Sequence, residues 1–162
     1  MDEIIPALAG FKGAARRFER KGSFNGIPVV DDYAHHPTEI RASLAAAKHI
    51  ESAKRVVCVF QPHTRSRTKE LFADFTKAFA DADKLVFMDI FTPAGREEGH
   101  IGISSQDLAD ALIKNGKDAV VFGSFSDAAD YLRKSCRNGD LVITMGAGDV
   151  YKVADLLIVT AD

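Results

Sequence analysis

The sequence has 162 residues, of which 46% are hydrophobic and 27% charged, and its formal net charge is −2. This length and composition are typical of one globular domain with a sizeable apolar core, and we expect residues 1–162 to form a single domain that folds by itself. The nearly balanced charge, without a strongly basic run, argues against nucleic acid or an anionic membrane as a partner.

Cysteine usage and hydropathy predict where the protein works. Cys58 and Cys136 have neither metal-ligand nor CxxC spacing, and they form no disulfide framework. No apolar stretch approaches the roughly 18 residues of a membrane span, and the N-terminus lacks the features of a signal peptide. We therefore expect a cytoplasmic protein.

The N-terminal region differs from the rest of the chain. Residues 4–11, IIPALAGF, predict a lone helical turn or a segment that once joined something upstream. Residues 16–24 are followed by Asn25-Gly26, a strong hairpin signal, which predicts an antiparallel edge strand. In such a strand the adjacent Arg16 and Arg17 would point to opposite sides, so at most one of them would face a given ligand.

Five runs rich in β-branched residues predict the other strands, at residues 27–30, 55–60, 84–88, 118–122 and 140–144. The runs are continuously apolar rather than alternating, which indicates a parallel sheet covered on both faces. Amphipathic helical patterns lie between them, with stripes such as Ile40, Leu44 and Ala47, or Leu71, Phe75 and Ala78. This alternation predicts right-handed crossovers and a doubly wound α/β fold.

Four polar loops follow predicted strands: DDYAHHP, QPHTRSR, FTPAGREEG and TMGAGD. In a parallel sheet the strand-to-helix loops emerge at one edge, where ligands of open α/β folds usually bind. We therefore expect residues far apart in sequence to share one rim.

The first of these loops leaves several functions open. Asp31 and Asp32 are suited to a ribose diol, a metal or simply a helix cap. A metal would need three or four convergent ligands, and the spacing of the available acids and histidines is not diagnostic. Pro37 predicts the first turn of a helix, whose N–H groups favour an anion.

The other loops carry weaker signals. The two arginines of QPHTRSR suit carboxylates or phosphates, and cations at a helix start oppose the helix dipole, which argues for a function. TMGAGD resembles a phosphate-binding turn but lacks the third glycine of the dinucleotide fingerprint, and Tyr151 stands in its place. The GxxxxGK[ST] phosphate loop is absent from the sequence, so any contact with nucleotide is accessory.

Taken in order, GAARRFE, VVDDYAHHPTEI, VFQPHTRSRT, GISS and TMGAGD span nearly the whole chain and resemble the C-terminal domain of the Mur ligases of bacterial peptidoglycan synthesis. The combination of DDYAHHPTE with FQPHTRSRT is most similar to the branch that joins L-alanine to UDP-N-acetylmuramate. The branch that recycles murein tripeptide shares a DDxAHHP-like segment and is the alternative within the family. A stand-alone nucleotide-binding module is the alternative outside it.

The resemblance implies a Rossmann-like, six-stranded and mostly parallel sheet with helices on both faces. It also implies a longer ligase, in which this domain closes over a central ATPase domain and an N-terminal UDP-binding domain that this sequence lacks. The whole enzyme would use ATP to form an acyl phosphate on the muramate carboxylate, which the amino group of L-alanine then attacks. The Mg²⁺ ligands would lie mainly in the central domain, so we expect the isolated domain to be inactive.

The resemblance also assigns roles by matching motif positions. Arg17 would contact the phosphates of ATP, and Asp32 would bind the ribose hydroxyls. Tyr33, His35 and Arg67 would form the amino-acid pocket, with His35 and Arg67 as the catalytic candidates, and no residue is expected to bind metal. Whether His35 takes a proton or only orients the amine stays open at this point.

Three further positions matter to this assignment. Some family members carry an arginine at the position of Thr64, so Arg65 is a second candidate for the carboxylate of the amino acid. His36 and His63 also match the family's motifs, and we expect structural roles for both.

Overall fold

The computed structural model describes residues 16–50, 53–96, 98–99 and 101–159. Within these residues the strands are β1 (Glu19–Phe24), β2 (Ile27–Asp32), β3 (Arg55–Phe60), β4 (Lys84–Met88), β5 (Ala119–Phe122) and β6 (Asp140–Met145). The helices are α1 (Pro37–Lys48), α2 (Arg65–Glu70), α3 (Phe72–Ala78), α4 (Ser105–Lys114), α5 (Phe125–Ser135) and α6 (Tyr151–Ile158). The helical turn predicted at residues 4–11 lies outside the described residues.

The strands form one six-stranded sheet in the order β1-β2-β6-β3-β4-β5. Only the pair of β1 and β2 is antiparallel, and all other neighbours are parallel. Asn25 and Gly26 join this pair with φ angles of 49° and 78°, the left-handed conformation that a tight hairpin turn requires. The predicted α/β fold with an antiparallel edge strand is confirmed.

The last strand, β6, lies between β2 and β3, so the chain returns to the middle of the sheet at its end. Asp32 of β2 pairs with Met145 of β6, and Met145 pairs in turn with Phe60 of β3. The ends of these three strands therefore stand side by side. This position brings the loops DDYAHHP, TMGAGD and QPHTRSR together at the carboxyl edge, as predicted.

Helices cover both faces of the sheet. One apolar cluster joins α1, α3 and α4 to the sheet through residues such as Ile40, Phe75 and Leu108. The opposite cluster joins α5 and α6 to the sheet through residues such as Leu132 and Leu157. Burying a side chain of this size contributes about 1.5–3 kcal/mol, so the two clusters give the site a rigid support.

The structure corrects three local predictions. Arg16 and Arg17 precede β1, and Arg16 lies in a turn with a φ of 59°. Their side chains therefore do not follow the alternation of directions that was predicted for a strand. The strand β2 runs two residues past its predicted end because its pairing with β6 continues through Asp32. The apolar stripe of Leu71, Phe75 and Ala78 does not begin within a helix. Leu71 (φ −98°, ψ 15°) has a non-helical conformation, so that α2 ends before it and α3 begins after it.

None of the described helices has the length and apolar character needed to cross a membrane.

Candidate functional site

The two aspartates at the end of β2 have different surroundings. Asp31 is fully buried, and its carboxylate accepts hydrogen bonds from Arg16 Nε (2.9 Å) and Thr144 Oγ1 (2.6 Å). Asp32 is 9% exposed, and its two oxygens accept from the backbone N–H groups of Ala34 (2.7 Å) and Phe18 (2.9 Å). A carboxylate has about four acceptor positions, so Asp32 is held in place and keeps capacity for a ligand.

Asp32 lines a cavity of about 420 Å³ between the start of β1 and α1. The other polar side chains of the wall are those of Arg17, Tyr33, Glu39 and Ser43, and α1 also contributes the small residues Ala42 and Ala46. This volume is within the range of small-molecule pockets. The structure thus brings the two residues that the resemblance assigns to ATP, Arg17 and Asp32, to one cavity.

Arg16, which the sequence did not single out, joins three segments of this edge. Besides its bond to Asp31, its guanidinium donates to the carbonyls of Gly146 (2.7 Å) and Gly148 (3.1 Å). The same group lies 5.2 Å from the ring centre of Tyr33 and 4.8 Å from that of Tyr151. The sequence signal for this role is the arginine pair itself, which does not say which member turns inward.

Tyr33 and His35 lie next to each other on the loop after β2. Their ring centres are 5.4 Å apart, and His35 Nδ1 is 3.1 Å from the carbonyl oxygen of Tyr33. Because a carbonyl oxygen only accepts, Nδ1 is the donor in this bond, and a neutral imidazole with this tautomer carries its acceptor lone pair on Nε2. The two residues assigned to the amino-acid pocket are therefore neighbours, with an acceptor nitrogen available on His35.

The second histidine of the pair has a different position. His36 is the N-cap of α1, where its Nδ1 accepts from the N–H of Thr38 (3.3 Å) and Pro37 occupies the first turn. Glu39 completes a capping box by accepting the N–H groups of His35 and His36, each at 3.0 Å. Burial alone would raise the pKa of the Glu39 carboxyl, but these N–H groups hold it below its usual value. The structural role expected for His36 is thus a helix cap.

His63 and Arg67 lie beside this loop. The His63 ring packs against Phe91, with ring centres 5.4 Å apart, and its centre is 5.9 Å from that of His35. Burial lowers the pKa of His63, and the positive charge of Arg67 lowers it further. His63 therefore lies beside His35, and the charge of the half-buried Arg67 acts on the His63 ring.

The neighbouring residues Thr64 and Arg65 make other contacts. Thr64 is buried and donates its N–H to the carbonyl of Phe91 (2.8 Å). The guanidinium of Arg65 donates to the carbonyl of Ile103, on the segment before α4. Of the two candidate arginines, Arg65 is therefore already engaged by a backbone carbonyl.

The glycines of TMGAGD allow close packing. A Cβ atom on Gly148 would lie 2.6 Å from the ring of Phe91 and 2.7 Å from Gln61 Oε1. The same Gln61 oxygen accepts the N–H of Asp149 (2.9 Å), which ties the loop to the end of β3. This packing accounts for a glycine at position 148 without a bound phosphate.

The acids and histidines do not converge on one point. Among the described residues, no group of three or more histidine, cysteine, aspartate or glutamate side chains is placed to hold a metal ion. Asp31 faces Arg16, Asp32 faces backbone N–H groups, and His36 caps a helix.

Comparison with known proteins agrees with these observations. The family model described as "Mur ligase, glutamate ligase domain" matches residues 16–148. Over 98% of its length the chain is 53% identical to the UDP-N-acetylmuramate--L-alanine ligase of Lachnospira eligens, and it spans 34% of that protein.

Two solved structures also match. The UDP-N-acetylmuramate-alanine ligase MurC of Thermotoga maritima has a TM-score of 0.75 and 27% identity, covering 96% of this chain and 32% of its own. The murein peptide ligase of Psychrobacter arcticus has a TM-score of 0.70 and 25% identity, covering 95% of this chain and 31% of its own. The observed fold, the motifs at its carboxyl edge and the family match confirm the predicted resemblance: the chain belongs to the Mur ligase family and carries its glutamate ligase domain.

Proposed function

We propose that this chain is the C-terminal domain of a cytoplasmic, ATP-dependent ligase that joins L-alanine to UDP-N-acetylmuramate in peptidoglycan biosynthesis. The observation that carries the proposal is the 53% identity, over 98% of the chain, to a ligase of that name. Because the chain spans 34% of that relative, we assign the ATPase and UDP-binding domains to the rest of the same ligase chain. Residues 1–162 are then one domain of the enzyme, inactive when isolated.

The proposed reaction has two steps. The terminal phosphoryl group of ATP passes to the muramate carboxylate, which gives ADP and an acyl phosphate. The amino group of L-alanine then attacks the acyl carbon, so that phosphate leaves and an amide bond forms. A Mg²⁺ ion bound with ATP offsets phosphate charge in such a reaction, and we assign its ligands mainly to the central domain.

Arg17 and Asp32 are proposed to hold the nucleotide. Their shared cavity supports this role, since a guanidinium pairs with phosphate oxygens and a carboxylate accepts hydrogen bonds from ribose hydroxyls. The bonds from Ala34 and Phe18 keep the Asp32 carboxylate in one orientation before the nucleotide arrives.

Tyr33, His35 and Arg67 are proposed to hold L-alanine. Within the described part of the chain the Arg67 side chain makes no hydrogen bond or salt bridge, so its guanidinium is available to the alanine carboxylate. With Nδ1 donating to the carbonyl of Tyr33, the Nε2 of His35 can accept a hydrogen bond, or a proton, from the amine. Tyr33 forms the adjacent wall.

Steady-state kinetics of the full-length ligase test these roles. We expect Arg17→Ala and Asp32→Ala to raise the KM for ATP by about 10-fold or more, because each removes a charged hydrogen bond. We expect Arg67→Ala to raise the KM for L-alanine by a similar factor with little change in the KM for ATP. Arg20→Ala, which removes an exposed arginine of β1, is the matched control. Unchanged kinetics in all three variants would contradict the assignment.

A second candidate is a ligase that adds murein tripeptide instead of L-alanine. The TM-score of 0.70 to the murein peptide ligase of Psychrobacter arcticus supports it. Assaying the full-length enzyme with L-alanine and with tripeptide separates the two, and we expect turnover with L-alanine alone.

A further inference from the structure

The helix that carries Arg67 begins with an unfavourable charge. The first residue of α2 is Arg65, its first turn contains no acidic residue, and Thr64 at the N-cap makes no side-chain cap bond. A cation at this position opposes the helix dipole by about 0.3–1 kcal/mol, and the first N–H groups have no partner within the helix. A helix of six residues needs compensation from elsewhere in the structure.

Glu98, on the loop between β4 and α4, supplies that compensation. Its carboxylate accepts the N–H of Arg65 (2.5 Å), the N–H of Ser66 (3.3 Å) and the hydroxyl of Ser66 (2.8 Å). The Glu98 side chain is 4% exposed, and Arg96 Nε lies 3.7 Å from it. Burial would raise the pKa of Glu98, but the N–H of Arg65 and the hydroxyl and N–H of Ser66 hold it below its usual value.

We infer that Glu98 is a positioning residue, which holds the start of α2 and thereby aims the guanidinium of Arg67 at the carboxylate of the amino-acid substrate. This inference rests on the proposed role of Arg67. Arg67 directly follows Ser66, whose N–H and hydroxyl both bind Glu98, so the backbone that bears Arg67 is fixed at the preceding residue. Loss of the acceptor frees the first turn, and Arg67 then spends less time in the binding orientation.

A purely electrostatic role predicts the opposite result. A carboxylate near Arg67 weakens the attraction of the arginine for an anionic substrate, so removing its charge alone would lower the KM for L-alanine. A positioning role predicts instead that removing the carboxylate of Glu98 raises the KM for L-alanine. The sign of the change therefore separates the two roles.

The test is the kinetics of the full-length ligase with Glu98→Gln. We expect the KM for L-alanine to rise about 10-fold, as for a lost charged hydrogen bond, with the KM for ATP within about twofold of wild type. Glu98→Asp keeps the charge and should recover part of the loss. Glu70→Gln, which neutralises an exposed acid at the other end of α2, is the matched control and should leave both constants unchanged.

Combination with Arg67→Ala completes the design. If Glu98 acts through Arg67, Glu98→Gln adds little to the KM for L-alanine in the Arg67→Ala background. A normal or lowered KM in Glu98→Gln, while Arg67→Ala raises it, overturns the inference and leaves the proposed function standing. A normal KM in Arg67→Ala overturns the proposed role of Arg67 and the inference with it.

Protein stability is measured in parallel by thermal unfolding. A lower midpoint for Glu98→Gln with an unchanged KM for L-alanine would show a structural role alone and would overturn the inference. If Glu98→Gln does not fold, Ser66→Ala removes only one donor to the same carboxylate and should raise the KM for L-alanine about twofold. An unchanged KM in Ser66→Ala would then count against the inference.

Discussion

At the scale of single residues, the adjacent Arg16 and Arg17 have opposite surroundings. Arg16 turns inward to the buried Asp31 and to two carbonyls of the loop after β6, whereas Arg17 is exposed and lines the cavity. The inward guanidinium neutralises a carboxylate whose side chain is only 1% exposed. One arginine therefore stabilises the site that the other is proposed to use.

Arg16→Ala should lower the free energy of unfolding by about 3–5 kcal/mol, because it leaves the carboxylate of Asp31 buried without its counter-ion. Arg16→Lys keeps the charge but loses the fork that reaches Gly146 and Gly148, so an intermediate loss is expected. Urea unfolding followed by circular dichroism gives these values. Arg17→Ala is the control, with a change within about 0.5 kcal/mol for an exposed side chain. Equal stabilities for Arg16→Ala and Arg17→Ala would show that the ion pair of Arg16 with Asp31 does not stabilise the fold.

At the scale of elements, the loop between β6 and α6 is locked to the end of β3. Gln61 is buried, donates to the carbonyl of Asp89 (3.3 Å) and accepts the N–H of Asp149 (2.9 Å). Gly148 packs against both Gln61 and Phe91 at distances that leave no room for a Cβ atom. The carboxyl edge of the sheet thus has a fixed shape around the loops that carry the site.

Gly148→Ala should destabilise the protein by about 1–3 kcal/mol, the usual cost of overpacking, because the new methyl group would overlap Phe91 and Gln61. Gly102→Ala is the matched control, since nothing lies within 4 Å of a Cβ atom placed there. Thermal unfolding of both variants measures the difference. Equal midpoints would show that the loop after β6 moves freely enough to admit the methyl group.

At the scale of the whole molecule, ion pairs also hold the opposite edge of the sheet. Asp140 at the start of β6 accepts from Arg55 Nε (2.8 Å) and Nη2 (2.6 Å), and from the N–H of Arg137 (2.9 Å). Burial would raise the pKa of Asp140, but the bonds from Arg55 and Arg137 hold it below its usual value of 3.8. Asp140 therefore joins two central strands in a way that depends on its ionisation.

The pH dependence of stability follows from the direction of this shift. Because the folded pKa of Asp140 lies below 3.8, its contribution is complete above pH 3.8 and is lost as the pH falls through the folded value. Asp140→Asn should be less stable than wild type by about 3 kcal/mol at pH 7, because Arg55 loses its partner, and should lose less stability between pH 7 and pH 2. Urea unfolding at a series of pH values tests this. Parallel curves for the two proteins would rule out the role of Asp140.

Local patterns predicted much of this fold. The positions of β3 and β4 follow from runs of apolar β-branched residues, and the hairpin follows from Asn25-Gly26, since both signals act over a few residues. The cap of α1 was harder to predict, because a histidine is an uncommon N-cap. The helix break at Leu71 could not be predicted from the apolar pattern, because apolar residues that pack against the core lie on both sides of the break.

The sequence predicted which loops form the candidate site, but not which side chains in those loops contact one another. That DDYAHHP, QPHTRSR and TMGAGD meet at one edge follows from the polarity of parallel strands. Which arginine of the pair turns inward, and which carboxylate caps α2, depend on contacts between segments far apart in the chain. Sequence spacing carries no information on such contacts.

By itself the sequence determined the fold class, because this depends on local periodicity, and the resemblance of its motifs to the Mur ligases implied the family and the residues proposed to hold ATP and L-alanine. Only the tertiary structure decided that β6 lies between β2 and β3, and that Asp31 forms an ion pair with Arg16 while Asp32 lines the cavity. It also decided that Glu98 binds the first N–H groups of α2, the helix that carries Arg67. The physical reason is burial. A buried charge is stable only when an opposite charge or hydrogen-bond donors lie beside it, and here these groups come from other parts of the chain.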